Sequence, residues 1–135
     1  GFALAAARAG FPRVTGVEVS SGAISSAISA ARHAGLPRSA ASFIADDATA
    51  WARAQLPEDV PDVIVVNPPR RGIGADLAAF LNECDAPRVI YSSCNPASLA
   101  TDLAAMPTLR PVEGRIFDMF PHTTHVEVAL LLERA

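Results

Sequence analysis

The chain has 135 residues, half of them apolar, with a formal net charge of −3, a size that fits a single α/β domain and no second one. No apolar run approaches the roughly 20 residues that span a bilayer, so no membrane segment is expected. The mildly acidic balance argues against a self-sufficient nucleic-acid-binding domain, which would carry a basic face against phosphates. Cys84 and Cys94 stand ten positions apart without a Cys-x-x-Cys pair, which speaks against a disulfide framework or a structural zinc and for a reducing cytoplasm.

The chain opens on Gly1, Phe2, Ala3 and Leu4, with neither an initiator Met nor a basic stretch ahead of an apolar one. The expectation is a cut inside a longer protein rather than a signal peptide or a natural start. Residues 2–8 are Ala-rich and predict a helix ended by Gly10 and Pro12. Residues 14–19 predict a strand that stops at Ser20, Ser21 and Gly22, where serines can cap a helix over about 23–33, closed by Gly35. A short strand at 42–45 leads into Asp46 and Asp47 and a helical stretch through Trp51, closed by Pro57.

Residues 62–66 read as a strand buried on both faces, halted by Asn67, Pro68 and Pro69. A loop over 70–74 follows, then a helix at 75–82, a second buried strand at 88–91, a helix at 98–105 and strands at 112–117 and 126–132. This alternation predicts a mostly parallel sheet covered on both faces, with an antiparallel pair at its C-terminal edge. In such sheets ligands bind beyond the carboxyl ends of the strands. Glu18, Asp46 and Asp47, Asn67 and Cys94 are therefore expected to converge on one edge.

Each candidate has a plainer reading beside the functional one. Glu18 ends a strand where nucleotide-binding folds place an acid for the ribose hydroxyls, but the glycine-rich turn that precedes such an acid is missing, with only Gly1 left of it. A solvated strand-end carboxylate is the alternative. Asn67 with its two prolines holds the chain extended and leaves polar groups without local partners, which suits a ligand as well as a rigid turn. Arg70 and Arg71, flanked by Gly72 and Gly74, can meet a phosphate or a base, or simply be solvated. Cys94 follows a strand within Ser92, Ser93, Cys94, Asn95 and Pro96, a position for a nucleophile, although a cysteine is often inert core. Cys84 lies in a helical segment, where such packing is the ordinary reading. His122, His125 and Glu127 lack the spacing of a helical zinc motif, so no metal is expected; Glu127 suits a general base facing Cys94, or an ordinary charge near Arg134.

Taken in order, Gly1 to Leu4, Glu18, the 67–74 segment NPPRRGIG, the 91–96 segment YSSCNP and the 118–127 segment DMFPHTTHVE resemble the tRNA/rRNA uracil-5-methyltransferases, most closely the 23S ribosomal RNA branch. The resemblance covers essentially the whole chain. It implies a Rossmann-like class I S-adenosylmethionine-dependent methyltransferase fold, α/β, truncated at its N-terminus, with residues 1–135 as the C-terminal catalytic domain. It further implies Cys94 as nucleophile, Glu127 as base, Glu18 and Asn67 as cofactor contacts, and RNA as partner; by their places in the chain Gly1 and Asp46 are expected as further cofactor contacts and Arg70 and Arg71 as substrate contacts. Any iron-sulfur cluster of the family, like its RNA-binding parts, belongs upstream of this domain. The first sheet strand and most of the cofactor loop are also expected upstream, so the 135 residues alone are expected to bind S-adenosylmethionine weakly or not at all and to be inactive. Two other readings stand beside this one. Asn-Pro-Pro also occurs in amine-directed RNA or protein methyltransferases, where an aromatic ring stands in place of Arg70 and no thiol is needed. A non-catalytic nucleotide-binding domain is the third.

Overall fold

A computed structural model of the chain describes residues 1–135, which divide into two compact units, Gly1–Ala54 and Gln55–Ala135. The first contains α1 (Phe2–Arg8), β1 (Val14–Glu18), α2 (Ser21–His33), β2 (Ala41–Ala45) and α3 (Ala48–Arg53). Strands β1 and β2 run parallel, with Val14 opposite Ala41 and Glu18 opposite Ala45. Helix α2 starts two residues before the sequence suggested because Ser20 is the cap: its Oγ accepts from the Ala23 amide at 3.2 Å. Asp47 does the same for α3, accepting from Ala50 N at 2.8 Å.

The second unit holds a 3-10 turn (Pro57–Asp59), β3 (Val63–Val66), α4 (Ala75–Glu83), β4 (Arg88–Ser93), α5 (Pro96–Ala104), β5 (Leu109–Phe117) and β6 (Glu127–Arg134). Its four strands are ordered β3-β4-β6-β5. The β3 and β4 pair is parallel, while β6 is antiparallel to both β4 and β5, which gives the antiparallel C-terminal edge that the pattern of strands predicts. Strand β5 carries Pro111 within it and an irregularity between Pro111 and Glu113. An edge strand tolerates this, since one row of its amides has no ladder to join.

Register divides the residues of this sheet between two faces. Ile64 and Val66, Val89 and Tyr91, and Val128, Leu130 and Leu132 share one face with Ala78 and Leu81 of α4 and Leu99 and Leu103 of α5. Leu81, Val89, Tyr91 and Leu132 are all fully buried there. Burying one such side chain contributes about 1.5–3 kcal/mol. The expectation that β3 is buried on both faces does not hold, because the helices of this unit pack on one face only and leave Val65, on the other, 39% exposed. Several boundaries also move, β5 starting at Leu109 rather than residue 112. Strand β4 runs on through Ser92 and Ser93, which pair with Ala129 and Val128, and α5 begins at Pro96 rather than residue 98, with Asn95 as its cap.

Candidate active site

The second face of the four-stranded sheet carries the polar residues. The antiparallel ladder ends with Ser93 opposite Val128; Cys94 is the next residue after β4 and Glu127 is the first residue of β6, so both lie at this end of the sheet. Val66, the last residue of β3, pairs with Tyr91, and Asn67 follows directly on it at the same end of the sheet. Ser92 and Glu127 share one face at this end of the sheet, and Asn67 and Cys94 are the residues that directly follow β3 and β4 there. Ser92 Oγ donates to Glu127 Oε1 at 2.8 Å. Cys94 and Glu127 are both half-buried, the first in the turn after β4 and the second at the start of β6.

The turn that carries Cys94 is pinned on both sides. Ser93, facing the core side, accepts from Asn95 N at 3.0 Å. Asn95 caps α5 by accepting from Ala97 N at 3.2 Å and donates from Nδ2 to the Arg70 carbonyl at 2.9 Å. Arg70 reaches in turn to His125, with Nη1 3.3 Å from Nδ1. A guanidinium only donates, so in this contact Nδ1 is the acceptor. The His125 ring also meets Phe120 edge-on, centroids 6.4 Å apart. Three segments, 67–74, 94–96 and 120–127, are thus tied together around one end of the sheet. Asn67, Arg70 and Arg71 are exposed.

Beneath the 67–74 loop lies a residue the sequence reading passed over. Asp102 of α5 is 6% exposed; its Oδ2 accepts from Ile73 N at 2.9 Å and from the Tyr91 hydroxyl. The signal was available, because Leu99, Asp102, Leu103 and Met106 follow the spacing of a buried helix face and Asp102 is the polar member of that stripe. Burial, reinforced by the hydrogen bond and the nearby charge of Asp102, pushes the Tyr91 phenol well above its usual range. The sign follows from linkage: a folded value above the unfolded one, about 10, lends stability that is complete below that pH and is lost as pH rises toward the folded value. Alkaline denaturation should therefore show a loss of stability above about pH 10 that Tyr91→Phe lacks; equal slopes in both proteins would rule this out.

In the first unit, Glu18 and Asp46 come together at the carboxyl ends of β1 and β2. Asp46 N donates to the Glu18 carbonyl at 3.1 Å, one step beyond the β1–β2 ladder. Both side chains are exposed; Glu18 Oε1 accepts from Ser20 N at 3.0 Å and Asp46 Oδ1 from Asp47 N at 2.7 Å. Gly1 is exposed at the start of α1, its carbonyl accepting from Ala5 N at 3.2 Å.

The profile of the tRNA (Uracil-5-)-methyltransferase family matches residues 54–135. The chain belongs to that family. A 23S rRNA (uracil(747)-C(5))-methyltransferase, RlmC, of Halothiobacillus neapolitanus is 46% identical over 134 residues, which are 99% of this chain and 35% of that protein. The RlmC of Shewanella amazonensis is 46% identical over 132 residues, 98% of this chain and 34% of that one. The chain therefore spans about a third of the length of the curated relatives it matches. Among solved structures, the Pyrococcus abyssi tRNA (uracil-54, C5)-methyltransferase in complex with S-adenosyl-L-homocysteine superposes with a TM-score of 0.81 at 31% identity, over 97% of this chain and 31% of that one. The fold is the Rossmann-like α/β fold of class I methyltransferases.

Within this member of the uracil-5-methyltransferase family, two sequence readings need amendment. Cys84 is not a buried helical residue: it follows the last turn of α4, half-buried, with its thiol donating to Leu81 O at 3.7 Å and accepting from Arg134 Nη2 at 3.4 Å. Arg134 is not the partner of Glu127, because its guanidinium is occupied at the other end of β6 by the carbonyls of Leu81, Asn82 and Ala86 at 2.7, 3.0 and 3.1 Å. His122, in the left-handed region at φ 63°, sits in the exposed 118–126 loop. No group of three or more His, Cys, Asp or Glu side chains is arranged to hold a metal ion, and no helix is long and apolar enough to cross a membrane.

Proposed function

We propose that this chain is the catalytic domain, over residues 1–135, of a cytoplasmic enzyme that methylates C5 of a uridine in RNA, 23S ribosomal RNA, using S-adenosylmethionine. The observation that supports the reading is that Cys94 directly follows β4 and Glu127 opens β6, at the end of the sheet where Ser93 pairs with Val128. A thiol and a carboxylate are the two groups that methylation at a pyrimidine carbon requires and methylation at an amine does not. The names of the relatives at 46% identity support the same chemistry.

Glu18 and Asp46 fit the cofactor by donor chemistry, since adjacent exposed carboxylates at strand ends are acceptors for ribose hydroxyls and an adenine amine. Gly1 and the Asn67 amide are the remaining contacts assigned to it. When bound, S-adenosylmethionine supplies an electrophilic methyl group to the base. The protein's task is to make C5 reactive. Cys94, as thiolate, adds to C6, the β-carbon of an unsaturated carbonyl, and the C5–C6 π electrons move onto C5 and O4. Once C5 is methylated, Glu127 takes the C5 proton, the C–H electrons restore the double bond, and the bond between C6 and sulfur breaks to return the thiolate. Arg70 and Arg71 hold the substrate strand. The target base must be unpaired or flipped out, because a stacked base hides C6. With a net charge of −3, these residues leave most of the phosphate grip to other parts of the enzyme.

A 5-fluorouridine RNA tests this directly. Fluorine at C5 cannot leave as a cation, so the intact protein should stop at the methylated adduct and give a denaturation-resistant complex whose cross-linked peptide contains Cys94. Methyl uptake into ordinary RNA with no such adduct would leave the amine-directed reading in its place. For the cofactor, Glu18→Ala should weaken S-adenosylmethionine binding by about 10- to 100-fold, the worth of hydrogen bonds to a charged group. Calorimetry showing an unchanged affinity would remove Glu18 from that site.

A further inference from the structure

Ser92 has no part in the chemistry just described, yet it is 4% exposed and its Oγ spends its proton on Glu127 Oε1 at 2.8 Å. Its neighbour Ser93, also buried, faces the other side and serves the Cys94 turn. The two hydroxyls have separate tasks. Ser92 pairs across the ladder with Ala129, which makes Glu127 its diagonal neighbour on the same face, within reach of a short side chain. No hydrogen bond from the protein reaches the second carboxylate oxygen, Oε2. A carboxylate at the first position of a strand, next to an exposed loop, has several rotamers open to it, and a bond from a fixed hydroxyl selects one.

We propose that Ser92 is a positioning residue for Glu127: it holds Oε1 so that Oε2 is presented as the base in the proton-removal step. The inference rests on the reading of Glu127 as that base. It separates the two halves of the reaction, because Ser92 touches the carboxylate and not the thiol. Loss of the hydroxyl should slow removal of the C5 proton and leave addition and methylation nearly as they were.

The test is a single-turnover reaction of the intact protein with a 23S rRNA transcript made from 5-tritiated UTP and methyl-labelled S-adenosylmethionine. In Ser92→Ala, methyl uptake should stay within a few-fold of wild type. Tritium release should fall about 10- to 100-fold, the range for a hydrogen bond to a charged group, while a denaturation-resistant protein–RNA complex accumulates. Ser92→Thr, which keeps the hydroxyl, should restore release, an outcome a general packing defect would not give. Glu127→Gln is the control for the underlying reading and should accumulate the same complex. If Glu127→Gln accumulates it but Ser92→Ala releases tritium at the wild-type rate, the positioning role is wrong and the base assignment stands. If Ser92→Ala loses methyl uptake and release together and Thr does not rescue it, the residue is structural only. Wild-type release in Glu127→Gln overturns both.

Discussion

Cys94→Ala is expected to lose at least about 10⁴-fold in methyl transfer, together with the 5-fluorouridine adduct, because without an attacking sulfur the C5 carbon of uracil stays unreactive. Binding should survive: Cys94 is half-buried on a turn held by Ser93 and Asn95, none of whose hydrogen bonds uses the thiol. Affinity for S-adenosylmethionine and for RNA should thus stay within a few-fold, and the melting temperature within a few degrees. Cys94→Ser should resemble Ala, since an alcohol is almost fully protonated at neutral pH. The decisive measurement is methylation alongside cofactor binding in one preparation. Retained methylation with an intact fold would exclude covalent catalysis through this residue and favour an amine acceptor.

Gly72→Ala should be the most damaging small substitution. Gly72 is buried at φ 88°, where an L-residue is strained, and a Cβ there would run into the Asp102 carboxylate. That carboxylate cannot move aside without releasing Ile73 N and the Tyr91 hydroxyl. Left-handed strain of about 1–2 kcal/mol and an unpaired buried group at about 1–3 kcal/mol together reach about 2–5 kcal/mol. For a protein of ordinary domain size this lowers the melting temperature by roughly 10 °C. The RNA dependence should change too, because the displaced loop carries Arg70, whose carbonyl and guanidinium are bonded to Asn95 and His125. A double-mutant cycle isolates the cause: with Asp102→Ala in place the clash is gone, so Gly72→Ala should cost much less on that background. Full additivity, or a wild-type melting temperature for the single variant, would mean that the contact does not matter.

Most elements of the fold were legible because they depend on short-range chemistry. The α1 helix of Ala-rich sequence, the β-branched strands and the breaks at Gly10, Gly35 and Pro57 each follow from neighbours in the chain. The errors also have local causes. The apolar run ends at Tyr91, so the sequence ends β4 short of Ser92 and Ser93, whose hydroxyls in the fold have found partners. The pattern starts the next helix at residue 98, whereas Asn95 and Pro96 already form its cap and first turn. Val65 was assigned to the interior on hydrophobicity alone, which says that a strand is apolar but not which face is covered.

The sequence by itself determined the candidates: a cysteine after a strand, a carboxylate at the start of the last one, two acids after the first two strands, and the resemblance that ordered them. Only the tertiary structure decided who supports whom. Ser92 and Glu127 are 35 positions apart, Asn95 and Arg70 are 25 apart, and Asp102 and Ile73 are 29 apart. Antiparallel register fixes the first pair, and the packing of α5 on the core face fixes Asp102 beneath the loop. Pairings of that kind depend on which strands meet and at what offset, and strand order and offset arise from burying a whole sheet face at once rather than from any local run of residues.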